Sequence, residues 1–152
     1  LINELRPVDL AGEYLDAAIQ AHVYSLKHTA GVSLKLQLEG KSKSLPNPIQ
    51  RHLNRITQEA LSNIARHASA KSVEVHLVIS NEMVVLEVKD DGIGFDPQNM
   101  TYFQKESMGL TSMRERAELM GGALKVRSTE GKGTTVIVKV PLEYRSMELY
   151  RG

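Results

Sequence analysis

The feature that most constrains this chain is two pairs of short segments in which apolar and polar residues alternate. The pairs are 73–79 with 83–88 and 124–128 with 135–140. Alternation with a period of two is typical of half-buried strands, and the short polar connections near Asn81–Glu82 and at 130–133 predict two hairpins. Segment 32–38 alternates in the same way and predicts a further strand. Hairpins separated by single helices favour an α+β fold over a doubly wound parallel sheet.

Apolar residues at helical spacing predict three helices. They span Asp9 to Ala30, Pro48 to His67 and Leu110 to Met120, with stop signals at Gly31 and Gly121–Gly122. Residues 40–48 are polar and predict a loop, and residues Asp90–Ser107 have little periodicity and predict a long one. We therefore expect a two-layer sandwich with a mixed, mostly antiparallel sheet and about three helices on one face.

Composition narrows the class of protein. At 152 residues the chain is long enough for one domain that buries roughly 70% of the surface its unfolded form exposes. It has no cysteine, which excludes disulfides and thiolate metal sites, and its net charge of +1 predicts neither nucleic-acid binding nor membrane contact. We expect no leader and no membrane-spanning segment in it. Because it begins at Leu1, we expect a piece of a longer protein.

A glycine loop, Asp90-Asp91-Gly92-Ile93-Gly94, follows the strand that ends at Val88. Two glycines let the backbone come close to a flat ligand, and a carboxylate at a strand end can accept a hydrogen bond from an exocyclic amine. An ordinary Asp-Gly turn is the alternative interpretation. The loop is neither a dinucleotide-binding fingerprint nor a Walker loop, because Asp96 and Pro97 follow it and no G-x-x-x-x-G-K-[ST] occurs in the chain.

The second predicted helix has a polar face. Glu59, Asn63 and His67 are spaced by four and share that face, with Arg66 beside them. A carboxamide oxygen can ligate Mg²⁺, and a glutamate one turn earlier can orient or deprotonate a nucleophile. Arg66 and His67 can meet phosphate or sugar. The alternative is a solvated polar stripe. The remaining histidines, His22, His28, His52 and His76, lack the spacing of a metal site.

Four motifs in register identify a family resemblance. Residues Gln58–Ala68 resemble the N box of the ATP-binding domain of bacterial sensor histidine kinases, and Asp90–Phe95 resemble its first glycine box. Met108–Arg116 resemble the second box, and Glu130–Thr134 the terminal G-x-G-T element. The residues of the N box and of the second box are similar to those of the subgroup of nitrate, lipid-fluidity and cell-wall sensors. The resemblance extends from Glu4 to about Pro141.

The resemblance implies a Bergerat-type fold that binds ATP and Mg²⁺. It implies that Asp90 accepts from the adenine amino group, that Gly92 and Gly94 let the ring lie close, and that Thr134 supports the adenine through a water. On the phosphate side it implies that Asn63 holds Mg²⁺ and that Glu59 is the base or positioning group. Arg66 would contact phosphate and His67 the ribose or adenine edge. Residues Phe95–Ser107 would form a lid, with Gly109 and Leu110 closing over the phosphates.

The resemblance also implies what surrounds the domain. We expect residues 1–7 to end a dimerisation and phosphoacceptor hairpin, 8–142 to form the catalytic domain and 143–152 to be a tail. The reaction implied is transfer of the ATP γ-phosphoryl group to a histidine on the separate hairpin, in the cytoplasm, with a response regulator downstream. None of the five histidines has the phosphoacceptor context, and Ser107 and Ser112 replace glycines of the second box. A non-catalytic or anti-sigma-type nucleotide-binding module is the alternative.

Overall fold

The computed structural model of the protein describes residues 14–142. Its centre is a five-stranded sheet in the order β1-β2-β3-β5-β4. The strands are β1 Ser33–Glu39, β2 Ser72–Ile79, β3 Met83–Asp90, β4 Ala123–Thr129 and β5 Gly133–Pro141. The β1–β2 pair is parallel and the other three pairs are antiparallel. The mixed, mostly antiparallel sheet and both predicted hairpins are confirmed.

Three longer helices cover one face of the sheet. They are α1 Leu15–Ala30, α2 Asn47–Asn63 and α4 Leu110–Leu119; a shorter helix, α3, spans Tyr102–Ser107. The buried side chains of the three longer helices join those of the strands in one hydrophobic cluster. Strand residues of the opposite face, such as Glu74 and Glu87, are only partly buried. The two-layer α+β architecture is therefore confirmed.

The helix ends follow local chemistry. Helix α1 stops at Gly31, whose φ of 65° is left-handed and whose N–H donates to the carbonyl of Lys27, as the sequence predicted. Helix α2 continues into a wider π turn, Ile64–Ala68, and the chain leaves it through Ser69, at φ 51°. Such π turns are frequent at functional sites. The expected helix start at Asp9, the hairpin end at 1–7 and the tail at 143–152 lie outside the described residues.

The prediction of a single long loop over Asp90–Ser107 was wrong. A 3-10 turn spans Pro97–Asn99 and helix α3 spans Tyr102–Ser107. Thr101 and Gln104 form a capping box in which each side chain accepts the other's main-chain N–H. Every residue of α3 is exposed, so the helix has no apolar stripe that periodicity could reveal.

A contact between α2 and α4 predicts how stability depends on pH. Arg116 Nη1 lies 3.2 Å from His52 Nδ1, and because arginine only donates, Nδ1 must be the unprotonated nitrogen. Burial and the charges of Arg116 and Arg51 lower the pKa of His52. The unfolded chain therefore takes up a proton first as pH falls below about 6.5, and the folded state loses stability.

Replacing His52 with glutamine, which can still accept from Arg116, should remove this loss. Urea unfolding at pH 7.5 and 5.5 should show the wild type losing more stability than the variant, by less than about 1 kcal/mol because solvent screens the site. If both proteins lost the same stability between pH 7.5 and 5.5, His52 would not be the source of the pH dependence.

Candidate functional site

An open cavity of about 370 Å³ lies between the end of α2, the end of β3 and residues Phe95–Ser107, the lid expected from the resemblance. Six of the ten predicted site residues line it: Asn63, His67, Asp90, Gly94, Leu110 and Thr134. The volume is in the range of small-molecule sites. The other four, Glu59, Arg66, Gly92 and Gly109, are not among the lining residues. The end of α2 with its π turn and the end of β3 thus face one cavity.

Asp90 ends β3 inside the cavity wall. Its side chain is only 6% exposed, and Oδ1 accepts the main-chain N–H of Gly92 at 2.7 Å. Burial raises the pKa of Asp90, while the main-chain hydrogen bonds of Gly92 and Thr134 act in the opposite direction. Apolar residues line the same cavity, among them Ile64, Val88 and Val136. This arrangement suits a flat apolar ring with a polar edge.

The structure explains why Gly92 and Gly94 have no side chain, which the sequence did not show. A Cβ at Gly92 would overlap the main-chain oxygen of Ala68, and a Cβ at Gly94 would overlap that of Thr129. Between them, Ile93 donates its N–H to Ala68 at 2.7 Å. The glycines therefore let the loop pack against the end of α2 and the β4–β5 hairpin. The sequence predicted that both glycines let a ligand ring lie close; Gly94 lines the cavity and Gly92 does not.

Ser128 organises the same corner and was missed. Its hydroxyl lies 2.8 Å from the Thr134 hydroxyl, donates to the Gly133 carbonyl at 3.1 Å and accepts the Phe95 N–H at 2.8 Å. It thereby joins the start of the lid to the G-x-G-T turn. Only the β4–β5 register, in which Ser128 pairs with Thr134, reveals this role.

The other end of the cavity is polar and is bounded by Met108, just after the lid. Asn63 is 8% exposed, and its Nδ2 donates to the carbonyl of Met108 at 2.6 Å. Its Oδ1 has Arg66 Nη2 at 3.5 Å, and the exposed Arg66 also donates to the Ser62 carbonyl. Helix α4 begins at Leu110 on the cavity wall. The free N–H groups of its first turn favour an anion at this end.

Two lid residues, Met100 and Gln104, and Met108 just after the lid line the cavity and were not predicted. Ser107 lines it as well, and its hydroxyl donates to the Gln104 carbonyl within α3. A loop without periodicity offered no sign of which of its residues face inward. Ser112 is exposed on the first turn of α4.

Comparisons with known proteins agree with this geometry. The family model described as "Histidine kinase-, DNA gyrase B-, and HSP90-like ATPase" matches residues 49–144. The chain is 38% identical to the sensor histidine kinase LiaS of Bacillus subtilis (strain 168) over 142 residues, which is 93% of the chain. Over the same length it is 36% identical to the sensor protein VraS of Staphylococcus aureus (strain COL). The chain spans 38% and 40% of those two proteins, respectively.

Solved structures show the same fold at lower identity. The histidine kinase domain of the Erythrobacter litoralis EL346 blue-light activated kinase superposes with a TM-score of 0.69 at 22% identity, covering 93% of this chain and 71% of that one. The mycobacterial sensor histidine kinase MprB gives a TM-score of 0.60 at 19% identity, covering 84% and 94%. Among the described helices, none has the length and apolar character needed to cross a bilayer.

Proposed function

Because the chain belongs to the family of histidine kinase-, DNA gyrase B- and HSP90-like ATPases, we propose that it is the ATP-binding catalytic domain of a sensor histidine kinase. It transfers the γ-phosphoryl group of ATP to a histidine on a separate hairpin domain of the parent protein, and a response regulator acts downstream. The observation that carries this proposal is a cavity with buried Asp90 at its apolar end and Asn63 at its polar end. The proposed location is the cytoplasm, where ATP is available.

The apolar end is proposed to hold adenine. Asp90 presents a buried acceptor, and an exocyclic amine is the donor that matches it. The Thr134 hydroxyl lies on the same wall and is oriented by Ser128. His67 lies where the ribose or the adenine edge would meet α2, and Gly94 supports the floor from the opposite side. Each of these groups orients the base and none takes part in chemistry.

The polar end is proposed to hold the phosphates. The beginning of α4 at Leu110 provides main-chain N–H groups, and Gly109, whose own N–H donates to the carbonyl of Glu106, leads the chain into that turn. Arg66 can swing from Ser62 toward an incoming phosphate. Glu59, one turn before Asn63, orients or deprotonates the attacking imidazole of the acceptor histidine. Positioning and charge stabilisation supply most of the rate enhancement in phosphoryl transfer.

The residues present fit a magnesium ion. Within residues 14–142 no group of three or more His, Asp or Glu side chains is placed to hold a metal, but Mg²⁺ beside a nucleotide needs only one or two protein groups with phosphates and waters. The amide nitrogen of Asn63 is held by Met108, so Oδ1 would be the atom for the metal once Arg66, whose Nη2 lies 3.5 Å from it, turns toward the phosphates. When bound, the ion neutralises phosphate charge.

Replacing Asn63 with alanine should abolish most of the Mg²⁺ dependence of ATP affinity. Isothermal titration of ATP with and without Mg²⁺ measures it, and the two affinities of the variant should agree within about threefold, since one ligand group of a partly hydrated ion contributes roughly 1–3 kcal/mol. The variant Asn81→Ala, at an exposed position between β2 and β3, is the control and should keep the wild-type dependence. A retained dependence in Asn63→Ala would place the metal elsewhere.

The function itself is tested by mixing the chain with Mg·ATP and separately produced candidate hairpin domains. Acid-labile, alkali-stable phosphate on a histidine of the hairpin is the expected product. ATP binding without any phosphohistidine, with every hairpin tried, would favour the non-catalytic binding module.

A further inference from the structure

Gly109 lies against the side chain of Glu59. It is the residue before α4, with φ 66° and ψ 20°. A Cβ at this position would lie 2.7 Å from Cγ and 2.8 Å from Cδ of Glu59, and would overlap its Oε2. These separations are shorter than van der Waals contact. The space that a side chain at position 109 would need is thus already filled by the carboxylate end of Glu59.

The preceding residue makes the companion contact. The carbonyl of Met108 accepts the amide of Asn63 at 2.6 Å. Two successive residues just after the lid, Met108 and Gly109, therefore contact Asn63 and Glu59, which are one turn apart on α2. The connection between the lid and α4 lies directly on the polar face of α2.

We propose that Gly109 is a positioning residue for Glu59, a role that rests on the proposed function. The backbone at Gly109 bounds the space on one side of the carboxylate and so restricts the rotamers of a flexible side chain. Glutamate has three rotatable side-chain bonds, so a carboxylate without such a boundary would spread over several positions. Closing the lid on α2 would then place the carboxylate and Asn63 together.

The contact also predicts what a methyl group at position 109 would do. The atoms that it meets are the far end of a flexible side chain rather than backbone. Glu59 can therefore turn away at little cost, and the Gly109→Ala protein should fold with its carboxylate displaced. Transfer should fall at least tenfold, while the dissociation constant for ATP should change less than about threefold.

Gly31 provides a matched control. Its φ of 65° and ψ of 27° are close to those of Gly109, but nothing lies within 4 Å of a Cβ built there. Gly31→Ala thus introduces the same left-handed alanine without the contact. Both variants should lose a similar amount of melting temperature, and Gly31→Ala should transfer phosphate within twofold of the wild type.

A double-mutant cycle shows whether the loss acts through Glu59. In a Glu59→Ala background, adding Gly109→Ala should cause no further loss of transfer, since the group that it displaces is gone. The carboxyl ¹³C resonance of Glu59 gives a readout independent of transfer. It should shift in Gly109→Ala and stay in place in Gly31→Ala.

An unchanged Glu59 resonance in Gly109→Ala, or losses that add in the cycle, would overturn the positioning role. Wild-type transfer by Glu59→Ala alone would instead contradict the proposed catalytic function of Glu59 and, with it, any positioning for that purpose. A shifted resonance in that case would still show the contact itself, so the two failures can be told apart.

Discussion

Asp90→Asn should weaken ATP binding by about 10- to 100-fold while the protein stays folded. The carboxylate is a buried acceptor that the proposed adenine amino group would meet, and hydrogen bonds to charged groups contribute roughly 1.5–3 kcal/mol. Asparagine keeps an oxygen for the Gly92 N–H, which already occupies Oδ1. Its amide nitrogen then faces the adenine amine, donor against donor. Titration calorimetry measures the affinity, and an unchanged affinity would remove the adenine assignment.

The same substitution should raise the free energy of unfolding by an amount that depends on pH. Burial raises the pKa of Asp90 in the folded protein, so the folded state binds a proton more tightly than the unfolded chain does. Stability of the wild type is therefore lost as pH rises from the unfolded pKa through the higher folded pKa. At pH 7 the neutral asparagine side chain avoids that penalty, and the variant should be the more stable protein. As pH falls through the folded pKa, the advantage should disappear.

Asp91→Asn is the matched control, because it makes the same chemical change one residue away. The Asp91 carboxylate is exposed and accepts from the main-chain N–H groups of Ser72 and Lys71, which lower its pKa. It contributes stability that is present above its unfolded pKa and lost as pH falls through the lower folded pKa. Asp91→Asn should thus destabilise the protein at pH 7 and leave ATP affinity within about threefold of the wild type. A similar loss of ATP affinity in both variants would mean that the loop was disturbed as a whole.

The predicted strands were right because their side chains alternate between a covered and an open face. In β2, Val73, Val75 and Leu77 are buried and their neighbours are not. The sequence shows the same contrast, because the buried positions are apolar and most of their neighbours are polar. The same reasoning failed for α3, whose side chains are all exposed. Its signal was the capping pair Thr101 and Gln104, which acts at the helix end and does not depend on burial.

The site was predictable where side chains hold its chemistry and hidden where the backbone does. Asp90 and Asn63 were singled out from their types and spacing, although the alternatives of a turn and a solvated stripe stayed open, and both line one cavity. The carbonyl of Met108 on Asn63 could not, because any residue has a carbonyl. Gly92 was singled out as a ligand contact, whereas a side chain there would meet the main chain of Ala68, which is distant in sequence. Only the folded chain brings those two segments together.

Glu59→Gln should bind ATP almost as tightly as the wild type and transfer phosphate about 10²- to 10⁴-fold more slowly, the range that general acid–base groups contribute. Glutamine has the same shape, so it keeps the contact with Gly109 and loses only the charge and the ability to accept a proton. Single-turnover transfer to the hairpin domain at saturating Mg·ATP measures the chemical step alone.

The control for Glu59→Gln is Glu118→Gln, on the exposed side of α4, which should transfer at the wild-type rate. Normal transfer by Glu59→Gln would discard the role of Glu59 as base. The comparison with Asp90→Asn then separates the two ends of the cavity. Loss of affinity with a normal rate at saturation belongs to the adenine end, and loss of rate at full occupancy belongs to the helix face where Glu59 and Asn63 meet the lid. A protein in which both variants lost only affinity would be a nucleotide-binding module, because catalysis requires interactions that strengthen in the transition state.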